Sequence, residues 1–174
     1  MNNISHSAYI GLGSNLGSSR RLLHDAWLSL EKYPEIMLTA LSSPYRTRPV
    51  DMDSPYWFIN AVGCMHTSLT PNTLLEILLR TEQQFGRIRQ PEQSGYQDRP
   101  LDLDLLLFDD EIRTECRLTL PHPAMHERLF VLVPLTEIAP DVLHPVQKKT
   151  VAELLAEQEA ANGREEIEQV DWID

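Results

Sequence analysis

Hydrophobic and polar residues follow two different periods along the chain, and the change between them predicts its order of strands and helices. Short apolar or alternating segments, which are typical of β-strands, lie at 8–13, 37–45, 58–67 and 99–108. Apolar residues at helical spacing predict helices over 19–32, 70–85, 127–138 and 151–161. A short returning strand is expected at 111–113. The strand–helix–strand–strand–helix–strand order predicts an α+β plait, in which helices pack against an antiparallel sheet.

The clearest alternation is in residues 99–108, RPLDLDLLLF, where leucines alternate with Asp102 and Asp104. On a strand these two carboxylates point the same way and lie roughly 6–7 Å apart, at about 3.3 Å per residue. Because like charges at that distance repel, they need cations beside them. Oxygen ligands on a rigid strand suit Mg²⁺. A solvated strand face with two incidental aspartates would give the same pattern, and these ten residues do not decide between the two.

Length and composition favour one ordinary globular domain, residues 1–174, with 42% hydrophobic residues. No apolar stretch approaches the ~20 residues that a membrane span requires, and the first residues do not resemble a signal peptide. Cys64 and Cys116 fit no zinc or redox spacing. We therefore expect a cytoplasmic protein with two reduced thiols and no membrane association.

The charge of the chain is unevenly distributed. The net charge is −11, and residues 153–174 hold eight acidic side chains against Arg164 alone. Between Arg80 and Arg128, in contrast, there are seven arginines and no lysine. So acidic a chain disfavours nucleic acid as a partner, whereas clustered arginines suit a small polyphosphate. We expect the acidic end, from about residue 162, to be loosely held.

The absence of lysine from residues 33–147 narrows the possible phosphate chemistry. P-loop and protein-kinase sites both require a lysine, and the glycines of residues 11–17 depart by one position from the dinucleotide-binding pattern. What remains is the carboxylate pair with the arginines. This set is sufficient for phosphoryl-type transfer, which depends mainly on positioning and charge neutralisation.

Two further groups of residues have both a structural and a functional interpretation. His122, held between two prolines, could donate to a phosphate or make a purely structural hydrogen bond. His126 lies four residues further on, but no third zinc ligand is near these two histidines in the sequence. Phe58, Tyr96 and Phe130 are ordinary core or loop aromatics unless two of them face each other across a cleft, where they could stack a planar heterocycle.

Taken together, these segments resemble the 6-hydroxymethyl-7,8-dihydropterin pyrophosphokinase family. The resemblance runs in order from about Ala8 to Pro145 and is most specific in the two longest motifs. The matching segments are YIGLGSNLG, SSPYRTRPV, FINAVG, EQQFGRIR, DRPLDLDLLLF and LTLPHPAMHERLFVLVPLTEIAP. It implies a ferredoxin-like plait and one step of folate biosynthesis, the transfer of the β,γ-diphosphate of ATP to the pterin hydroxymethyl group with release of AMP.

The resemblance also implies roles for individual residues. Asp102 and Asp104 match ligands of two Mg²⁺ ions that bridge ATP and the attacking hydroxyl. Residues 87–99 match a mobile loop whose arginines close on the phosphates. The positions implied to contact ATP are Glu82, Arg87, Arg89, Arg99, Arg117, His122 and Arg128. Those implied to bind the pterin are Thr47, Arg48, Val50, Phe58, Asn60 and Phe130. The implied catalytic set is Arg87, Arg99, Asp102, Asp104 and His122.

Some positions depart from the family pattern, and other functions remain open. Arg48 stands where proline is common, and Phe58 replaces a frequent tyrosine. A non-catalytic plait module that binds a nucleotide or pterin as a regulator is one alternative. An enzyme that transfers only the γ-phosphoryl group is another, and the identity of the product, AMP or ADP, separates it from a pyrophosphokinase. We expect a monomer that binds ATP and the hydroxymethylpterin.

Overall fold

The structure is a computed structural model that describes residues 6–49, 54–88, 98–162 and 167–173. These ranges contain four α-helices: α1 (Ser19–Ser29), α2 (Pro71–Gln84), α3 (Leu129–Ile138) and α4 (Val151–Asn162). The longer strands are β1 (His6–Ser14), β2 (Ile36–Leu41), β4 (Phe58–Thr67) and β5 (Asp102–Phe108). The short strands are β3 (Tyr45–Thr47), β6 (Arg113–Thr114), β7 (Thr119–Leu120), β8 (Leu143–His144), β9 (Lys149–Thr150) and β10 (Ile167–Gln169). Short 3-10 helices lie at Leu30–Lys32 and Met125–Glu127.

The main sheet is antiparallel and confirms the predicted fold class. Its strands follow the order β10–β3–β4–β1–β5. β3 pairs with residues 58–60 of β4, and β2 pairs with residues 63–67 of the same strand. Without the two short edge strands, the order β2–β4–β1–β5, with α1 and α2 as crossovers, is the ferredoxin-like plait. Two small hairpins, β6–β7 and β8–β9, stand apart from this sheet.

Helices cover both faces of the sheet, which explains why β5 is a nearly continuous apolar run. On one face, Leu103 and Leu105 join a core with α1 and α2. On the other, Leu106 packs with α3 and α4. Gly63 of β4 permits α1 to approach, because a Cβ there would lie 2.3 Å from the Trp27 ring. The face that carries Leu106 is also the face of Asp102 and Asp104.

Three local predictions differ from the structure. The single strand expected at 37–45 is divided into β2 and β3, because the Ser42 hydroxyl accepts the Val62 amide and Pro44 interrupts the ladder. The strand expected at 111–113 is β6, which pairs with β7 rather than returning to β5. The helix expected from residue 127 begins at Leu129, after a 3-10 turn.

The acidic end also differs from the expectation of a loosely held tail. β10 pairs with β3, and the Val170 amide then donates to the Pro44 carbonyl at 2.9 Å. The Trp172 indole N–H donates to the Ser42 carbonyl at 3.1 Å. Residues 167–173 are therefore part of the sheet edge. In the part of the chain that the structure describes, no helix is long and apolar enough to cross a membrane.

Candidate active site

A cleft lies over the α3 side of the sheet, between the ends of β1, β4 and β5 and the beginning of α3. Its floor is backbone and apolar side chain, and its rim is charged. The predicted residues that line it are Thr47, Arg48, Phe58, Asn60, Arg99, Asp102, Asp104, Arg128 and Phe130. The remaining lining residues are Gly11, Leu12, Gly13, Ala61, Val62, Leu106 and Val131. The fold thus brings together residues separated by more than 80 positions in sequence.

Strand register explains why the carboxylates and the predicted pterin residues share this cleft. Gly13 of β1 pairs with Asn60 of β4 on one side and with Asp102 of β5 on the other. Adjacent strands are about 4.8 Å apart, so Asn60 and Asp102 are separated by roughly 10 Å across the sheet. A Cβ at Gly13 would lie 3.2 Å from the Asn60 Oδ1 atom. Glycine at this position therefore leaves the surface between the two groups open.

Asp102 is held by two arginines. The Arg87 guanidinium donates to Oδ1, and Arg99 Nη2 lies 2.9 Å from Oδ2. All three side chains are largely buried, with exposed fractions between 14% and 19%. Both oxygens of Asp102 therefore face positive charge.

For Asp104, burial rather than ion pairing dominates the electrostatics. Burial and the neighbouring Asp102 carboxylate raise its pKa to about 7, although Arg99 and Arg128 act in the other direction. A further cation beside Asp104 would favour its ionised form. Two carboxylates on one strand fit Mg²⁺, which takes one or two protein carboxylates and completes its shell with phosphate and water oxygens.

Within the described ranges no cluster of three or more His, Cys, Asp or Glu side chains that could hold a metal ion was found. Asp102 and Asp104 both line the cleft. This suits an ion shared with a polyphosphate rather than an ion enclosed by protein ligands.

Arg87 and Glu82 form the support behind Asp102. Glu82, which is 1% exposed, accepts from Arg87 Nη1 at 2.7 Å and from the Leu103 amide at 2.8 Å. Neither residue is among those that line the cleft. Their geometry joins the end of α2 to β5 and orients the Asp102 carboxylate, so both residues are placed to act through Asp102.

Arg99 spans the two halves of the cleft. Its guanidinium pairs with Asp102 and lies over the Phe58 ring, 5.8 Å from the ring centroid. One side chain therefore contacts both the carboxylate site and the aromatic wall.

The predicted pterin residues form a polar and aromatic wall. Asn60 donates to the Thr47 hydroxyl at 2.8 Å, and both side chains are buried. Phe58 on β4 and Phe130 at the start of α3 line the same cleft, as stacking of a heterocycle would require. Arg48 also lines the cleft, and its guanidinium stacks on Trp57 at 5.1 Å. The Trp57 ring thus contacts Arg48, the residue that stands where the family pattern commonly has proline.

His122 and Arg128 lie on the segment between β7 and α3. The His122 amide donates to the Leu106 carbonyl at 2.8 Å, which ties this segment to β5. Its Nδ1 accepts from the Ala124 amide at 3.3 Å, so the neutral ring carries its proton on Nε2. Burial, followed by Arg128, lowers the pKa of His122, and Asp102 acts against this shift. A neutral Nε2–H donor is the form that this environment favours.

The other predicted positions are placed less directly. Arg117 is exposed in the turn between β6 and β7, and it is not among the residues that line the cleft. Arg89, Val50 and Tyr96 lie outside the described residues, as does most of the predicted mobile loop 87–99.

The sequence patterns alone do not predict three further positions that shape the cleft or contact its residues. Gly11 and Gly13 form the floor of the cleft, and Asn15 bonds to both the amide and the carbonyl of Arg99. The segment GLGSN (residues 11–15) predicts a strand followed by a turn. Its two glycines in alternate strand positions were the available signal, because glycine inside a strand often marks a close approach by a ligand or another backbone.

Comparison with known proteins agrees with the geometry of this cleft. The family model described as 7,8-dihydro-6-hydroxymethylpterin-pyrophosphokinase matches residues 9–140. Proteins named 2-amino-4-hydroxy-6-hydroxymethyldihydropteridine pyrophosphokinase are similar to this chain in sequence, among them the two described next. The one from Methylorubrum extorquens is 40% identical over 161 residues, 92% of this chain and 98% of its own length. The one from Bacillus subtilis is 43% identical over 143 residues, 82% of this chain and 81% of its own.

Solved structures support the fold. A Plasmodium falciparum HPPK-DHPS structure with pteroate superposes with a TM-score of 0.72 at 14% sequence identity. The superposition covers 94% of this chain and 47% of the Plasmodium chain, so this chain spans about half of that protein. At this level of identity the likeness concerns the plait alone.

Proposed function

The chain belongs to the 7,8-dihydro-6-hydroxymethylpterin-pyrophosphokinase family, and from this premise we infer its reaction and the work of its residues. It is an ATP-dependent pyrophosphokinase that acts on 6-hydroxymethyl-7,8-dihydropterin in folate biosynthesis. The β,γ-diphosphate of ATP passes to the hydroxymethyl oxygen, and AMP leaves. The observation that carries this function is one cleft in which the carboxylate pair and Arg99 adjoin a wall of Asn60 and Phe58.

We propose that Asp102 and Asp104 hold two Mg²⁺ ions together with oxygens of ATP. Ions held there would supply charge neutralisation for the polyphosphate. The position of the two carboxylates on one strand face that lines the cleft supports this proposal. Arg87 and Arg99 pair with Asp102, and we assign this carboxylate to metal binding and to orientation of the hydroxyl.

The arginines and His122 supply the remaining charge and orientation for the nucleotide. Arg99 and Arg128 line the cleft, where their guanidinium groups are placed to bind phosphate oxygens. His122 would donate from its Nε2–H. Arg117 and Arg89 remain proposed phosphate contacts on the strength of the resemblance. Glu82 and Arg87 would act indirectly, since they hold Asp102 and β5 in place.

The pterin is proposed to enter between Phe58 and Phe130, with its polar edge toward Asn60 and Thr47. The amide of Asn60 offers both a donor and an acceptor, and its hydrogen bond with Thr47 restricts its orientation. Arg48 and Val50 complete this proposed site. The arrangement would bring the hydroxymethyl group toward Asp102, roughly 10 Å from Asn60 at the spacing of adjacent strands.

Product analysis tests this function directly. The protein is incubated with ATP, Mg²⁺ and 6-hydroxymethyl-7,8-dihydropterin, and nucleotide products are separated by chromatography. AMP in equal amount to the pterin diphosphate is the expected result. ADP would indicate transfer of the γ-phosphoryl group alone, and binding without turnover would indicate a regulatory module. A set of two metal carboxylates and several arginines is more than a sensor requires, which disfavours that alternative.

We further propose a cytoplasmic monomer. Cys64 and Cys116 are free thiols, as a reducing compartment requires. Small-angle scattering of the purified protein measures the oligomeric state. A mass near twice 19.9 kDa would contradict the monomer.

A further inference from the structure

Asn15, which follows β1, connects three separate parts of the chain. It is 5% exposed. Its Oδ1 accepts the Arg99 amide at 2.8 Å, and its own amide donates to the Arg99 carbonyl at 3.2 Å. Its Nδ2 donates to Asp98 Oδ1 at 2.6 Å. Three hydrogen bonds from one residue therefore hold the backbone of Arg99 and the side chain next to it.

Ser54 joins the same network from the other side. Its hydroxyl donates to Asp98 Oδ1 at 2.6 Å, the oxygen that also accepts from Asn15. Ser54 follows the pterin-side residues Thr47 and Arg48 in the chain, whereas Asp98 immediately precedes Arg99. The hydrogen-bonded set Asn15, Asp98 and Ser54, named here the latch, thus connects the pterin side and the phosphate side to the end of β1.

We propose that Asn15 is a positioning residue that sets the direction of the Arg99 side chain through the latch. The proposal rests on the proposed function, in which Arg99 acts on the phosphates. Arg99 reaches both Asp102 and the Phe58 ring, and a long arginine side chain can be aimed only if its backbone is fixed. Displacement of such a group by 1 Å can lower the rate by about 10²-fold.

The chemistry of the latch requires an amide at position 15. Asparagine supplies one acceptor for the Arg99 amide and one donor for the Asp98 carboxylate. Aspartate would keep the acceptor but would set a second carboxylate against Asp98, and alanine would supply neither. Asn15 is not among the residues that line the cleft. Its effect on the reaction is therefore exerted through Arg99.

An exchange of the two side chains gives a specific test. Asn15→Asp is expected to lower kcat by about 10²-fold, the cost of a misplaced reacting group, while the Kd of α,β-methylene-ATP changes much less. The double variant Asn15→Asp with Asp98→Asn exchanges donor and acceptor: the Arg99 amide keeps its acceptor, and the Ser54 hydroxyl, which can donate or accept, can accept from the new amide. It is expected to recover most of the lost kcat. Such recovery is not expected if position 15 serves only to fill space.

Two controls separate the latch from general stability and from the proposed function. Asn72→Asp disturbs a similar amide–carboxylate contact, with Glu115 at 3.2 Å on the exposed side of α2, and should leave kcat unchanged. Hydrogen exchange at the Arg99 amide reports the latch without turnover: protection in the wild type should be lost in Asn15→Ala.

The outcomes are distinguishable. An unprotected Arg99 amide in the wild type would overturn the latch, as would a folded Asn15→Asp variant with unchanged kcat or a folded double variant without recovery. Wild-type protein that makes no AMP would instead overturn the proposed function. In that case the exchange measurement still decides whether Asn15 holds Arg99.

Discussion

Asp104, which we propose as a metal ligand, illustrates how a functional residue would lower stability. Its carboxylate lies on a largely buried strand beside Asp102, and its pKa is raised to about 7. A carboxyl group whose pKa is higher in the folded state than in the unfolded chain destabilises the fold once both states are ionised. Without metal, its contribution to stability therefore falls as the pH rises from about 4 to about 7.

Asp104→Asn should consequently stabilise the metal-free protein while removing turnover. We expect a gain in the free energy of unfolding of about 1–3 kcal/mol at pH 8, because burial and Asp102 raise the pKa of Asp104, and a smaller gain at pH 5. Urea unfolding in EDTA at both pH values measures the difference, and AMP formation with Mg²⁺ measures activity. Asp110→Asn, at an exposed position in the turn after β5, is the matched control. An active Asp104→Asn variant would refute the metal assignment.

Arg99 allows a second prediction at the scale of one residue. Its guanidinium is shared between Asp102 and the Phe58 ring, so it is expected to matter most when charge develops on the transferred group. Arg99→Ala should lower kcat by at least about 10²-fold, a typical loss for a group that stabilises transition-state charge, with a much smaller change in ATP affinity.

Steady-state kinetics and direct nucleotide titration separate the two effects. The exposed Arg80 of α2 provides a control, since Arg80→Ala removes the same charge at a position away from the cleft lining. Losses of equal size in kcat and in affinity would indicate ground-state binding by Arg99.

At the scale of elements, β10 changes the edge of the sheet beside the proposed pterin site. It pairs with β3: Ile167 of β10 is the partner of Thr47, and Glu168 Oε2 lies 3.3 Å from Arg46 Nε. The chain then continues to Trp172, whose indole bonds to Ser42 and packs against His24. The acidic composition of this end predicts solvation, but contacts with residues 42–47 override that tendency.

Removal of the Trp172 anchor should therefore weaken the fold more than its position near the C-terminus suggests. Trp172→Ala is expected to lower the free energy of unfolding by about 1–3 kcal/mol, since it removes a hydrogen bond and aromatic packing. Thermal and urea unfolding measure the loss. Ile173→Ala, at a neighbouring side chain that is 83% exposed, should change stability by less than about 0.5 kcal/mol. Equal effects of the two substitutions would contradict the anchor.

At the scale of the whole molecule, two buried groups make stability depend on pH in opposite directions. Asp104 favours the fold at low pH. His144, which is 2% exposed on β8, has its pKa lowered to about 4 by burial and then by His126. Because the unfolded chain binds a proton near pH 6.5 and the folded protein does not, stability from His144 is lost as the pH falls from about 6.5 to about 4.

His144→Asn should make the acid side of the stability profile shallower. Its amide oxygen can replace Nδ1 as acceptor for the Val146 and Gln147 amides, but it does not bind a proton in this range. The slope between pH 4 and 6.5 is expected to fall by up to about 1.4 kcal/mol per pH unit, the value for one proton. Urea unfolding at half-unit pH steps provides the measurement. An unchanged slope would assign the acid dependence to other groups.

Much of this protein was predictable because its patterns act over short distances. Alternation in residues 99–108 placed Asp102 and Asp104 on one face of a strand, and the structure confirms that strand from residue 102. The helical spacing in residues 70–85 likewise predicted α2, and Thr70 is the N-cap of this helix. The lysine-free arginine cluster indicated polyphosphate, and the motifs around it indicated the family.

Other features were decided only by the tertiary structure, because they depend on which strands become neighbours. The register that sets Gly13 between Asn60 and Asp102 joins the two halves of the site. The interior position of Glu82 and the bonds from Asn15 to Arg99 follow from packing between distant segments. The sequence by itself determined which groups are available and how strands and helices alternate. Long-range pairing decided where the groups meet, since hydrogen bonds between strands carry no signal in local periodicity.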